Sequence, residues 1–225
     1  MRRVVIPELL DTDFGTPAEI ATALSDLRHI NQWFGGIGAT QSMIAAVAQK
    51  TGASSLSMLE VAAGAGYVPL EASARLRESG IKLDVTLLDR ACSHLSNGAG
   101  NGRSAVTGDA LALPFAGGSF DLVNCCLFVH HLEPNEVLQF VNEGLRVCRI
   151  AVMVNDLIRN PVHLALAYAS LPLYRSHFTH HDAPASVRRA YTIPEMQQML
   201  QRTTASRVEI ERHPFFRMGV IAWKR

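Results

Sequence analysis

Residues 56–66 combine an apolar run, one carboxylate and two glycines in an order that could bind a charged ligand. The stretch reads Leu-Ser-Met-Leu-Glu-Val-Ala-Ala-Gly-Ala-Gly, which predicts a buried strand followed by a tight turn. Gly64 and Gly66 lack a Cβ, so the backbone there can turn sharply and let a ligand approach closely. Glu60 would repel a dinucleotide pyrophosphate but attract a cationic ammonium. The alternative is a tight strand-to-helix turn that binds nothing.

Apolar runs alternate with helical patterns from this stretch onward. This alternation predicts an α/β fold with a doubly wound, parallel sheet. Two final strands, at about 206–213 and 215–224, are separated only by the region of Pro214, so they should pair as an antiparallel hairpin. The expected strands are 56–62, 82–88, 104–107, 119–127 and 149–155, and the expected helices are 68–79, 91–96 and 134–146.

Two segments lie outside this alternation. Residues 1–54 predict a helical cap, in which a capping box at Thr16 and Glu19 opens a helix to about Ile30 and a second helix spans 40–50. Residues 156–191 interrupt the rhythm after the fifth strand, and we interpret them as a lid over the carboxyl edge of the sheet. A second capping box at Thr192 and Glu195 returns the chain to the main fold. The whole chain, 1–225, is expected to form a single domain.

Ligands of open α/β sheets bind beyond the carboxyl ends of the strands. Asp89 ends the second strand, 23 positions after Gly66, where a carboxylate can accept both hydroxyls of a ribose. Capping the next helix is the alternative role for Asp89. The third glycine of a dinucleotide fingerprint is replaced by Pro69, which disfavours a nicotinamide cofactor.

Three further motifs follow in order: Gly108-Asp109-Ala110, Leu113-Pro114-Phe115 and Ser119-Phe120-Asp121. Together with the Glu60 and glycine pattern they resemble the small-molecule branch of class I S-adenosylmethionine (SAM) methyltransferases. This branch includes the ubiquinone and menaquinone methyltransferase type (methyltransferase type 11). The resemblance covers residues 55–155 well and implies a Rossmann-like, seven-stranded sheet. Ala62 and Ala63 depart from it, because the family often has a glycine there.

The resemblance implies a set of cofactor contacts. The carboxylate of Glu60 would meet the methionine ammonium, and Asp109 with the amide of Ala110 would hold the adenine. Trp33 and Phe34, on the cap, could stabilise the sulfonium by cation–π attraction, although such aromatics are more often core residues. The complete expected set is Glu60, Gly64, Ala65, Gly66, Asp89, Arg90, Asp109, Ala110, Cys126, Trp33 and Phe34.

His130 and His131 follow the fourth strand and are the candidate catalytic residues. Imidazole titrates near neutral pH and could remove a proton from a phenol or enol during methyl transfer. His131 is the preferred candidate of the two. The alternative for both is a role in packing, since His-His-Leu is frequent in the wider family.

The lid supplies the candidate substrate residues. His177, His180 and His181 have helical spacing, but Pro184 and small neighbours favour a loop, so we predict no metal site. Charges in the lid could pair with one another or clamp an acidic or phenolic substrate, and an ordinary solvated loop is the alternative. Asp156 and Arg159, which follow the fifth strand, are also candidates. The complete predicted substrate set is Asp156, Arg159, His181, Asp182 and Arg188.

Composition excludes several classes of function. The formal charge of +1 over 225 residues argues against nucleic acid or an anionic membrane as the partner. Four cysteines without disulfide or C-x-x-C spacing suit a reducing cytosol, and Glu8, Asp11 and Asp13 interrupt any secretion signal. No candidate helix is long enough to insert stably in a membrane. A cytoplasmic protein with a small-molecule substrate is therefore expected.

These observations predict an enzyme that methylates a small, aromatic or otherwise apolar metabolite from SAM, releasing S-adenosylhomocysteine (SAH). Oxygen is favoured over carbon and nitrogen as the acceptor atom. Two alternative functions are an NAD(P)-dependent oxidoreductase and a module that binds SAM without catalysis. The sequence does not indicate an oligomeric state.

Overall fold

A computed structural model describes residues 1–12, 15–96 and 104–225. Within these ranges seven strands form one sheet in the order β3-β2-β1-β4-β5-β7-β6. The strands are β1 (Ser55–Val61), β2 (Lys82–Asp89), β3 (Ala105–Thr107), β4 (Phe120–Cys126), β5 (Cys148–Leu157), β6 (Arg207–His213) and β7 (Arg217–Trp223).

The first five strands run parallel, and β7 pairs antiparallel with both β5 and β6. The predicted Rossmann-like sheet with an antiparallel final hairpin is confirmed. At the tip of this hairpin Phe215 and Phe216 both have positive φ, of 60° and 56°, a conformation that bulky side chains rarely adopt.

Helices cover both faces of the sheet. On one face Phe140 and Leu145 pack over the centre of the sheet with Met196, and on the other face Ile44 and Leu76 do the same. The helices are α1 (Pro17–Trp33), α2 (Gly36–Thr51), α3 (Tyr67–Glu78), α4 (Cys92–Ser96), α5 (Pro134–Val147), α6 (Pro161–Ala169), α7 (His177–Arg189) and α8 (Ile193–Leu200).

Local capping signals predicted two helix starts correctly. Thr16 and Glu19 form a reciprocal capping box at α1, and Thr192 and Glu195 form another at α8. The start of α2 is earlier than predicted, at Gly36, because Gly35 adopts a left-handed conformation and directly reverses the chain after α1.

The loop predicted around Pro184 is wrong, because residues 177–189 form α7 with this proline inside the helix. Ser176 caps the helix by accepting a hydrogen bond from the Phe178 amide, at 3.2 Å. Phe178, Asp182 and Ala185 are buried at helical spacing, so packing of one face outweighs the hydrogen bond that proline cannot donate.

The segment before α1 is held against α7. The Leu9 and Leu10 amides donate to the carboxylate of Asp182 at 2.8 and 3.1 Å, and a short 3₁₀ helix follows at Leu10–Thr12. We call residues 1–12 the N-terminal strap. Across the described parts of the chain, no helix is both long enough and apolar enough to cross a membrane.

Candidate active site

A cavity of about 1550 Å³ opens at the carboxyl ends of β1, β2 and β4. It brings together residues that are far apart in the sequence, as expected for this edge of an open α/β sheet. The predicted site residues that line it are Phe34, Glu60, Gly64, Ala65, Asp89, Arg90, Asp109, Ala110, Cys126, His130, His131 and Asp182.

The turn after β1 has an unusual backbone. Gly64 and Gly66 have φ of 53° and 69°, and a Cβ on Gly66 would lie 2.6 Å from Leu87 Cδ1. The positive φ favours glycine at both positions, and the close approach of Leu87 requires it at position 66. Ala62 also has positive φ, of 54°, at the position where the sequence departs from the family pattern. Gly66 does not line the cavity, so it shapes the turn and begins α3.

Glu60 lies at the floor of the cavity and is only 1 % exposed. Its carboxylate accepts a hydrogen bond from Asn124 Nδ2 at 2.7 Å. Burial raises the pKa of Glu60 to about 8, and the bond from Asn124 offsets only part of that effect. A buried acid with this pKa favours a cationic partner, because a nearby positive charge would restore its ionised form.

The Asp89 carboxylate accepts hydrogen bonds both from the turn after β1 and from the start of the helix that follows β2. Oδ2 accepts from the Gly64 amide at 2.8 Å, and Oδ1 accepts from the Ala91 amide at 2.9 Å. A carboxylate has about four acceptor sites, so Asp89 can still accept from a ligand. Arg90 turns toward the strap, where Nη2 donates to the Asp11 carbonyl. Asp109 is exposed at the cavity edge, with Oδ1 accepting from the Leu111 amide.

Both predicted catalytic histidines lie in a cluster of carboxylates. His130 Nδ1 is 2.6 Å from Asp156 Oδ1, and its Nε2 is 3.3 Å from Glu8 Oε1. His131 Nδ1 is 2.7 Å from Asp11 Oδ2, and its Nε2 is 3.7 Å from Glu8 Oε2. We call these five side chains the histidine cluster.

The charges of this cluster stabilise one another. Burial by itself lowers the pKa of His130, but Asp156 and then Glu8 outweigh burial and raise that pKa to about 10. Burial raises the pKa of Asp156, but His130 outweighs it and holds the pKa below its usual value. A protonated His130 between two carboxylates is poorly suited to act as a base, whereas the His131 ring is more accessible.

Arg217 is a further cavity residue that sequence reasoning missed. It is 1 % exposed, and its guanidinium donates to the Phe34 carbonyl at 2.7 Å, to Asn31 Oδ1 at 2.9 Å and to Asn155 Oδ1 at 3.2 Å. All three of these acceptors are neutral. These three hydrogen bonds therefore leave the positive charge of the guanidinium without a paired carboxylate beside the cavity.

Residues 59–151 match the protein family described as Methyltransferase domain. This match to the central part of the chain, together with the Rossmann-like sheet, supports a class I methyltransferase domain. No curated protein matches this chain in sequence.

Solved structures of methyltransferases share the fold. The plantazolicin methyltransferase BpumL, in complex with a triazolic desmethylPZN analog and SAH, has a TM-score of 0.71 at 12% identity, with 96% of this chain and 93% of that chain covered. The magnesium protoporphyrin IX methyltransferase ChlM from Synechocystis PCC 6803, with bound SAH, has a TM-score of 0.57 at 14% identity, covering 85% and 84%. A SAM dependent methyltransferase from Aquifex aeolicus has a TM-score of 0.55 at 17% identity, covering 76% and 82%.

Two predicted substrate residues stabilise the structure around the cavity without lining it. Asp156 orients His130 through its ring and its backbone amide. Arg159 donates to the Met1 and Ala190 carbonyls and pairs with Glu195, so it ties the strap to the body of the protein.

Three other predictions lie away from the cavity. His181 pairs with Asp182, and Arg188 donates to the Tyr168 hydroxyl. Trp33 is 53 % exposed and stacks on His29. None of these side chains lines the cavity, so of the two aromatic residues predicted on the cap only Phe34 reaches it.

Glu8 and Asp11 are the functional candidates that sequence reasoning missed at the N-terminus. Their acidic spacing argued only against a secretion signal. They reach the histidine cluster because Asp182 fixes the strap and because Ser186 Oγ donates to Glu8 Oε1 at 2.8 Å. These contacts span more than 170 positions, and no local signal in the sequence marks them.

Proposed function

We propose that this methyltransferase domain transfers the methyl group of SAM to a small molecule with an apolar body, and that oxygen is the favoured acceptor atom. The observation that carries the proposal is Glu60, a buried carboxyl at the cavity floor. It is a poor partner for a pyrophosphate and a good one for the α-ammonium of SAM.

The proposed cofactor contacts are those that the family resemblance implies, and they are supported by the position of these residues along the cavity. Glu60 takes the ammonium, Asp89 takes the ribose hydroxyls, and Asp109 with the Ala110 amide takes the adenine. Gly64 and Ala65 approach the methionine chain with Cys126, and Phe34 lies near the sulfonium. Several of the solved relatives contain SAH, which supports SAM as the cofactor of this chain.

The acceptor end is formed by the lid, residues 156–191. Leu157 lines the cavity, and so do Leu166 and Leu173, which are 53 % and 59 % exposed at its mouth. An apolar rim of this kind would be covered by an apolar substrate, which would also exclude water. The relatives named for plantazolicin and magnesium protoporphyrin IX support a small-molecule acceptor.

The chemistry is an in-line displacement. The acceptor oxygen attacks the methyl carbon, a C–O bond forms, and the C–S bond breaks with its electron pair remaining on sulfur to give SAH. The proton of the acceptor hydroxyl passes to the histidine cluster, where His131 is the more accessible base. Holding the two reactants in line is the main contribution of the protein.

The experiment has two parts. Calorimetry with SAM, SAH, NAD and NADP should show binding of SAM and SAH alone, and binding of a nicotinamide nucleotide without SAM or SAH would instead establish an oxidoreductase. Candidate phenols, enols and amines are then incubated with methyl-labelled SAM and examined by mass spectrometry.

A labelled product whose methyl group is on oxygen is expected. Label on carbon or nitrogen would refute the preferred acceptor atom while keeping methyl transfer. A chain that binds SAH normally, and whose biological activity survives His131→Ala, would be a SAM-binding module.

A further inference from the structure

Three side chains converge at the acceptor end of the cavity with their ligand atoms within 4.8 Å of one another: Glu8, His130 and His131. All three line the cavity. Glu8 comes from the N-terminal strap, and the histidines come from the 3₁₀ turn after β4. Chain segments that are 122 positions apart thus present one carboxylate and two imidazoles to a common point.

Each imidazole is held by a carboxylate at its other nitrogen. Nδ1 of His130 lies 2.6 Å from Asp156 and Nδ1 of His131 lies 2.7 Å from Asp11, which leaves both Nε2 atoms directed toward Glu8. Histidines that bind metals usually donate the second ring N–H to a carboxylate, which fixes the tautomer and the ring orientation. The cluster provides this support for both histidines.

One of these Nε2 atoms lacks a hydrogen bond. His130 is 2 % exposed, and its Nε2 is buried without a hydrogen-bond partner among the described residues. Glu8 Oε1 lies 3.3 Å away and can form an ion pair with this nitrogen only when His130 is protonated. Buried polar atoms without partners are rare in folded proteins. An ion between the side chains would give this nitrogen a partner.

The distances fit a small tetrahedral ion. Ligand atoms bound about 2.0–2.1 Å from zinc in tetrahedral geometry lie about 3.3 Å from one another. Glu8 Oε1 lies 3.3 Å from His130 Nε2 and Glu8 Oε2 lies 3.7 Å from His131 Nε2, both close to that separation, and one ligand atom from each of the three residues lies within 4.8 Å of the others. Two imidazoles and one carboxylate favour zinc and other first-row transition metals over magnesium or calcium.

The local charges also favour a cation. Glu8, Asp11 and Asp156 bring three carboxylates around two imidazoles, and Arg189 Nη1 lies 3.9 Å from Asp11. With both histidines neutral, as metal ligands must be, the cluster contains three carboxylates and no positively charged ligand atom. These carboxylates would attract a divalent cation.

We propose that Glu8, His130 and His131 bind a divalent first-row metal ion, with zinc preferred, and that its fourth position faces the cavity and takes the acceptor oxygen. The first part stands on the geometry alone, whereas the role of the fourth position rests on the proposed methyl transfer. Three protein ligands and one open position are typical of catalytic zinc.

The metal would replace His131 in activating the acceptor. As a Lewis acid it lowers the pKa of a bound hydroxyl, which then loses its proton to solvent. The metal-bound oxygen keeps an electron pair for the methyl carbon, and the C–S pair remains on sulfur as before. A Lewis acid suits an oxygen acceptor better than an amine that already carries a free pair.

The test measures metal binding by the untagged, full-length protein. The protein is dialysed against a chelator and titrated with Co²⁺, whose visible d–d absorption reports a tetrahedral nitrogen and oxygen site. We expect one equivalent to bind, Zn²⁺ to displace it, and X-ray absorption of the zinc form to show two imidazoles among the ligands.

Variants locate the site. His130→Ala, His131→Ala and Glu8→Gln should each weaken Co²⁺ binding at least 100-fold, and Asp156→Asn should weaken it about 10- to 100-fold as a supporting residue. His163→Ala is the matched control, because His163 lines the cavity but lies outside the cluster, and it should retain full affinity. SAH binding by each variant confirms that it is folded.

The outcomes separate the two proposals. A wild-type protein that binds SAH but no Co²⁺ would overturn the metal site and leave the histidine cluster as a set of ion pairs. Unchanged Co²⁺ affinity in all three ligand variants would overturn its location. A third outcome is a wild-type protein that binds one equivalent of Co²⁺, which the ligand variants lose, yet binds neither SAM nor SAH. That result would support the metal site and refute the proposed methyl transfer.

Discussion

Substituting Glu60 by glutamine should make the protein more stable and its cofactor binding weaker. The pKa of Glu60 rises from 4.5 to about 8 because the side chain is buried. Between these values the folded chain holds a proton that the unfolded chain has lost, so stability falls as the pH rises through this window and is constant above it. A glutamine side chain at this position needs no proton and can still accept the hydrogen bond of Asn124.

The magnitude follows from the pH. One unit between the unfolded pKa and the working pH corresponds to about 1.4 kcal/mol, so Glu60→Gln should raise the free energy of unfolding by about 3 kcal/mol at pH 7. The gain should rise to about 5 kcal/mol above pH 8 and fall below about 1 kcal/mol at pH 5. Urea denaturation of both proteins at these three pH values gives the differences directly.

The same substitution should weaken SAH binding by about 1–3 kcal/mol, because the charged hydrogen bond to the ammonium is lost. Calorimetry of the wild-type protein near pH 7, in buffers of different ionisation enthalpy, should also show proton release as the ammonium restores the charge of Glu60. Glu78→Gln, at an exposed position on α3, is the control and should change neither quantity. A stability difference between wild type and Glu60→Gln that does not vary with pH would refute the reasoning.

Three further predictions concern the turn and the strap. Ala62→Gly should raise the melting temperature, since it removes a left-handed alanine that costs about 1 kcal/mol. The control Ala63→Gly, in the same turn, should lower the melting temperature. Equal shifts of both variants in calorimetric scans would show that the backbone at Ala62 is not strained. Asp89→Ala should weaken SAH binding by about 1–3 kcal/mol in a calorimetric titration, with exposed Asp84→Ala as the unaffected control. Asp182→Ala should release the strap from α7 and so increase the rate of proteolysis before residue 12, as followed by mass spectrometry. An unchanged cleavage rate would show that the hydrogen bonds from Leu9 and Leu10 to this carboxylate do not hold the strap in place.

The parts of the fold that local rules govern could be read from the sequence. Capping boxes such as Thr16 with Glu19 act within a few residues, so the start of α1 was predictable. Residues that end strands, such as Glu60 and Asp89, were predictable as cavity residues because parallel strands share one carboxyl edge. The helix α7, which contains Pro184, was not predictable. Its stability comes from one buried face, and the residues that pack against this face lie elsewhere in the chain.

The histidine cluster shows the limit of the sequence most clearly. His130 and His131 stand out by type and position, but the carboxylates that define their chemistry come from two distant segments. Glu8 and Asp11 are in the strap and Asp156 lies near the end of β5. Long-range contacts of the strap with Asp182 and Ser186 bring the first two into place.

The two ends of the cavity share one physical property, which links the proposals. At the floor, Glu60 is a carboxyl whose burial destabilises the fold unless a cation lies beside it. At the acceptor end, three carboxylates surround two imidazoles. Each end also has an unfavourable local feature. Ala62 has a left-handed backbone conformation at the turn, and His130 Nε2 is buried without a hydrogen bond. Departures of this kind persist where function requires them, so the floor should bind the ammonium of SAM and the histidine cluster a metal ion, with the methyl group passing between them.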